Sequence, residues 1–230
     1  MIAGEAGLLN ANSANPFPSA HLLTESENSR TGCRVQIQQE TIPVGTSGTL
    51  DLVRFNRRDG FSPAGSLWAQ VGEALDGSSL PPLADPQQSL AADASVQLWN
   101  LDTGERIPLF AELDAFEPQA DADRSLLIRP LEAMGFETHV AVVLTDTLRR
   151  ADGSAWRGPA DFLAMRDGTL PEGRSTAALS HYFHLVRTLG EYGLEKDRIQ
   201  FAWDFVTSSE DNLRAPLDRV IDSMRAELPA

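Results

Sequence analysis

The amino-acid sequence predicts a mainly β protein: an antiparallel β-sandwich with a helical insert before its last strand and an amphipathic helix at the carboxyl end. Three observations carry this reading. Short segments of alternating apolar and polar residues, bounded by Gly, Pro and Asp, fill the middle of the chain. The apolar period changes from 2 to 3.6 at about residues 160–192 and again after residue 209. The 230 residues, 42% of them hydrophobic, supply enough apolar material for one large or two small cores. Their longest apolar runs fall far short of the roughly 20 residues of a transmembrane helix.

Taken in order, residues 1–14 form a small, polar lead-in, and the sandwich is assigned to residues 15–208. Val35 and Ile37 mark a first strand, and Leu67, Ala69 and Val71 share one face of a second. Val96 and Leu98 begin a hairpin that turns at Asp102-Thr103-Gly104 and returns through Ile107, Leu109, Ala111 and Leu113. Pro108 donates no ladder hydrogen bond, so the returning strand is expected at a sheet edge or a bulge. Leu126 and Ile128, then Val140, Val142 and Leu144, give two further strands, followed by a turn at Ala151-Asp152-Gly153. In the last strand Ile199, Phe201, Trp203 and Phe205 are expected on one face, with Gln200 and Asp204 on the other.

The insert carries Leu179, Tyr182, Phe183, Val186 and Leu189 on one helical stripe that stops near Gly190 or Gly193. The final helix, 209–230, starts from Ser208 or Ser209 as N-cap. It carries Leu213, Leu217, Val220, Ile221, Met224 and Leu228 on one face, and Pro216 is expected to kink it or mark a restart. A full apolar stripe must be covered, so this helix either folds back on the sandwich or opens a further domain.

Acidic residues outnumber basic ones 33 to 19, for a net charge of −14, which argues against a nucleic-acid backbone as partner. A single cysteine, Cys33, excludes an intramolecular disulfide and reads as a semi-buried residue at a strand start, although Arg30 and Arg34 flank it. Met1–Gly7 has neither the positive nor the apolar region of a secretory signal.

No catalytic, cofactor-binding or metal-ligating residue is assigned. Around Ser62, Gly60-Phe61-Ser62-Pro63-Ala64-Gly65 has its second glycine one residue too far for a nucleophile elbow, and Gly45-Thr46-Ser47-Gly48 is too short. His181 and His184 have the i,i+3 spacing of a helical metal pair, but both are placed on the solvent side of the insert helix. His139 reads as a sheet-surface residue and His21 as part of a Pro-rich lead segment, with no serine placed to use a histidine as base. Glu112, Asp114, Glu117, Asp121 and Asp123 make an acidic loop without the register of a calcium loop. Trp68, Trp99, Trp156 and Trp203 lie on different elements, which favours core positions over a sugar-stacking platform.

One longer pattern remains. Asn15-Pro16-Phe17-Pro18, the run Phe55–Pro63, Asp102–Arg106, Leu127–Pro130, Thr147–Gly153 and the closing Ala202-Trp203-Asp204-Phe205-Val206-Thr207 follow one another in order. From about Asn15 to Ser208 this resembles the Ig-like region at the N-terminus of large, exported bacterial α/β-hydrolases of the virulence-factor lipase type. It departs from that pattern at Ala20 and at Glu132–Gly135. The resemblance implies an Ig-like sandwich acting as a non-catalytic accessory or interaction module, located outside the cytoplasm, whose partner is a downstream hydrolase domain or another protein surface. The family's catalytic serine lies downstream, so no site residue carries over. A stand-alone esterase working through Ser62, and a carbohydrate- or calcium-binding adhesin module, are the alternatives.

Overall fold

The structure is a computed structural model that describes residues 8–9, 13–41, 51–115 and 121–227. Among these residues eight strands form three antiparallel sheets, accompanied by three α-helices. Strands β1 (Leu23–Glu25) and β2 (Cys33–Val35) make a small hairpin. β3 (Leu67–Ala69), β5 (Leu109–Leu113) and β6 (Leu126–Pro130) form a sheet of order β3-β6-β5. β4 (Val96–Asn100), β7 (His139–Thr145) and β8 (Ile199–Val206) form the other, of order β4-β7-β8. Both three-stranded sheets contribute to one hydrophobic core.

The predicted hairpin of β4 with β5 is corrected. The chain turns at Asp102–Gly104 and keeps only a short ladder, with Asn100 N–H donating to the Glu105 carbonyl and Ile107 N–H to that of Leu98. It then crosses to the other sheet, where β5 pairs with β6. Pro108 stands at the crossing: it has no N–H to continue the ladder, and its carbonyl accepts from Leu131 N–H instead. As expected for a proline-led strand, β5 lies at a sheet edge.

The central strand β7 is buried on both faces, which its unbroken apolar run Val140–Leu144 requires. β8 is buried on both faces too, because helices α1 (Ala160–Arg166) and α2 (Thr176–Glu191) pack on it. Phe162 of α1 meets Phe201 and Tyr182 edge-on at 5.1 and 5.5 Å between ring centres. Gly158 lets this layer close: a Cβ there would fall 1.6 Å from the Gln200 carbonyl oxygen. The helical insert therefore falls where the change of period places it. Its buried stripe is rotated, however: Leu185, Val186 and Leu189 are buried, whereas Phe183 is exposed.

Helix α3 (Glu210–Glu227) runs through Pro216 without a break. Proline cannot donate to the carbonyl four residues earlier, that of Asn212. The Arg58 guanidinium, reaching from the loop 51–62, donates to that carbonyl at 3.1 Å. Ser209 is the N-cap, its hydroxyl accepting from Asn212 N–H at 3.2 Å. Buried Asp59 fixes this start, accepting from Ser208 Oγ, Ser209 N–H and Ser209 Oγ at 2.7, 3.0 and 2.6 Å. Gly60 allows the close approach, since a Cβ there would lie 2.6 Å from the backbone of Thr207.

Candidate functional site

The densest chemistry lies where β7, β8 and α2 meet. Asp204, expected on the outer face of β8, is only 3% exposed. Its Oδ2 accepts from His139 Nε2 at 2.6 Å. His139 stands on β7 diagonally across from it, opposite Val206 in the ladder. Its Oδ1 lies 2.8 Å from His181 Nε2 on α2, a charge contact that is not aligned as a hydrogen bond and leaves Oδ1 without an aligned donor. Burial by itself would raise the Asp204 carboxyl, but the two histidines outweigh it and hold the group well below the usual carboxylate range. The carboxylate in turn raises His181 above 6.5, against the opposing effect of burial.

The two histidine readings are thus revised. His139 does sit at the sheet surface, but as a partner of Asp204. His181 faces the sheet because the buried stripe of α2 runs through Leu185 rather than Phe183, and residue 181 lies one turn before 185. His184 alone faces outward, where its Nδ1 meets Arg187 at 3.2 Å, so the i,i+3 pair does not converge. One signal pointed to Asp204: an ionisable residue set among Phe201, Trp203 and Phe205, with apolar Ala202 between it and Gln200, contradicts a solvated strand face.

Asp204 and His181 open onto a cavity of about 480 Å³ shared with Ser19, His21, Tyr182 and Trp203. Here a serine does meet a histidine, contrary to expectation. Ser19 Oγ lies 2.7 Å from His21 Nδ1, and His21 Nε2 lies 2.7 Å from the Ser13 carbonyl. Because Nε2 faces a carbonyl it carries the proton, and Ser19 O–H donates to Nδ1. The His21 side chain keeps contact with solvent, yet enough of its ring is enclosed to hold its pKa below 6.5. Burial likewise pushes the Tyr182 phenol up.

The other candidates are dispersed. Ser62 Oγ accepts from Ala64 N–H at 3.3 Å, a local turn contact. Residues 45–48 and Glu117 lie outside the described residues. Of the acidic loop, Glu112 pairs with Arg129 at 2.8 Å. The carbonyls of Asp114 and Asp123 accept from Arg124 and Gln70. Among the described residues no group of three or more His, Cys, Asp or Glu side chains is placed to hold a metal ion. Trp99, Trp156 and Trp203 are buried, and Trp68 stacks on Phe17 at 6.3 Å. Cys33 starts β2 half-buried, and burial raises its thiol.

Helix α3 supplies the second feature. None of its described residues is buried, and Leu217, Val220 and Met224 are 60%, 55% and 60% exposed. It does not fold back on the core. No helix among the described residues is long and apolar enough to cross a membrane. No known protein family and no curated protein matches the chain.

Proposed function

We propose that this chain is a non-catalytic, Ig-like accessory module of a larger exported hydrolase of the lipase type, and that α3 seats the domain that follows it. The observation that carries this reading is the bare apolar stripe of α3. Three large apolar side chains more than half exposed on one helix face cost solvation free energy that a neighbour recovers, about 25 cal/mol per Å² covered. The start of the helix is held by Asp59 and Arg58, so the stripe is presented in a fixed direction. Arg58 and Asp59, which do this holding, both lie in the Phe55–Pro63 segment of the family resemblance. The occupant proposed is a hydrolase domain of the same polypeptide, the partner that the family resemblance implies.

The test compares this chain with the product of its extended reading frame by hydrogen exchange. Protection of residues 213–227 in the longer protein is the expected result. A stop codon directly after Ala230, or a longer protein in which α3 exchanges as fast as before, would overturn the reading.

A hydrolase is the second reading, and Ser19 with His21 is the observation that favours it. Its two members are two residues apart at the start of one turn, and the third partner is a backbone carbonyl. These are the ordinary local contacts of a serine before a helical turn. Turnover of a short-chain nitrophenyl ester that is lost in Ser19→Ala would establish it, and loss in Ser62→Ala instead would point to the other serine.

A further inference from the structure

Five arginines converge on one groove of this acidic protein. Arg34, Arg54, Arg57 and Arg58 line one side and Arg219 of α3 the other, around a volume of about 680 Å³ whose lining contains no Asp or Glu. None of the five makes an ion pair among the described residues; elsewhere Arg30, Arg129, Arg150, Arg166, Arg174 and Arg198 do, while Arg106, Arg149 and Arg157 stand unpaired but not clustered in one groove. The neighbouring acids of α3 lie against other arginines: Asp211 against Arg30, Glu210 and Asp218 against Arg214, and Asp222 against Arg225. Residues 42–50, which precede the groove in the chain, contain no acidic residue.

Two of the five have structural duties. Arg58 caps the carbonyls of Asn212 and Leu213, and Arg34 donates to Ser26 and to the Arg57 carbonyl. The other three guanidinium groups are free of them: among the described residues those of Arg54 and Arg57 make no hydrogen bond, and that of Arg219 reaches only the Ala215 carbonyl of its own helix. Like charges held together without counter-charge repel one another, and a multivalent anion removes that repulsion.

We propose that this groove binds a compact anion of phosphate groups carrying several charges, as found on a small oligophosphate or a polyphosphorylated lipid headgroup. Guanidinium groups pair with phosphate oxygens in bidentate fashion, and each terminal phosphate offers more charge and more acceptor oxygens than a carboxylate. A long polyanion is disfavoured, because beyond the groove it meets the acids of α3 and the −14 net charge of the chain. This site is independent of the apolar stripe, since residues 212, 215, 216 and 219 lie on a different face of α3 from 217, 220 and 224.

The experiment measures binding of inorganic tripolyphosphate by calorimetry at low salt, and co-sedimentation with phosphatidylcholine vesicles containing phosphatidylinositol 4,5-bisphosphate. Both are repeated on R54Q/R57Q/R219Q and on the charge-matched control R149Q/R157Q/R187Q. Binding that weakens at least about tenfold in the groove variant but less than about twofold in the control is expected, one decade matching loss of a single charge-assisted contact. Tripolyphosphate binding alone assigns a soluble ligand, and vesicle binding alone a lipid source. Failure of both probes, equal loss in both variants, or capture of a tetraglutamate peptide without either phosphate probe would overturn the proposal. The three groove substitutions remove no contact between elements, so unchanged thermal unfolding verifies the variant's fold.

Discussion

Replacing Asp204 with Asn keeps the shape of the side chain and removes the charge that joins β7, β8 and α2. The aligned bond from His139 at 2.6 Å is charge-assisted, and losing it costs about 1.5–3 kcal/mol. The unaligned contact with His181 adds about 1 kcal/mol at most, since that ring is 42% exposed and solvent screens it. The expected loss near pH 6 is therefore about 2–4 kcal/mol, or about 4–16 °C in melting temperature for a domain of this size. The pH dependence is the sharper readout. His181 has a raised pKa, so its contribution is complete below 6.5 and is lost as pH rises through the higher folded value. Asp204 has a lowered pKa, so its contribution is complete above 3.8 and is lost as pH falls through the lower folded value. Urea unfolding from pH 3 to 9 should give a stability maximum between these limits in the native protein. The Asn variant should be flatter on both flanks. A variant as stable as the native protein, or one with both flanks unchanged, would refute the assignment of this cluster as an electrostatic tie.

Three further outcomes follow from the packing. Asp59→Ala removes the acceptor of three hydrogen bonds at the start of α3 and should cost about 3–5 kcal/mol, with faster hydrogen exchange in residues 210–216 than elsewhere. Gly158→Ala places a methyl group inside the Gln200 carbonyl and should cost more than about 3 kcal/mol or prevent soluble expression. Pro216→Ala restores the donor that α3 lacks and should slow exchange of the amides around residue 216, since alanine is favoured over proline by about 3 kcal/mol in a helix interior.

Much of the strand pattern was legible because it is local. Alternation at Leu67 and Ala69, at Leu126 and Ile128, and along Ile199–Phe205 reports which side chains are buried, and a chain records that in its own period. The helical insert was legible for the same reason, as was a helix start at Ser208 or Ser209, of which the structure uses Ser209. The pairing of β4 with β7 instead of β5 was not legible. A strand's apolar pattern states that it has a buried face but not which strand lies beside it, and the tight turn at Gly104 suits a hairpin or a crossover equally. Strand β1, and with it the pairing of β2, was not legible because three residues are too few to show a period.

The candidate site was legible only in its ingredients. His139, His181 and Asp204 each stood in view, but 65 residues separate the first from the last in the chain, and their meeting depends on α2 lying over β8. A rotation of one residue in the stripe of α2 decides whether His181 meets water or a buried carboxylate, and that choice rests on how Leu185 packs. The arginine groove is similar: four members lie within residues 34–58, and the fifth, Arg219, joins them because Asp59 and Arg58 dock the helix that carries it. Composition and period, which act between near neighbours, thus determined a strand-rich acidic protein with a helical insert and an amphipathic final helix. Which charges face one another was decided by the tertiary structure, because electrostatic and hydrogen-bonding partners are selected by distance in space and the sequence orders residues only along the chain.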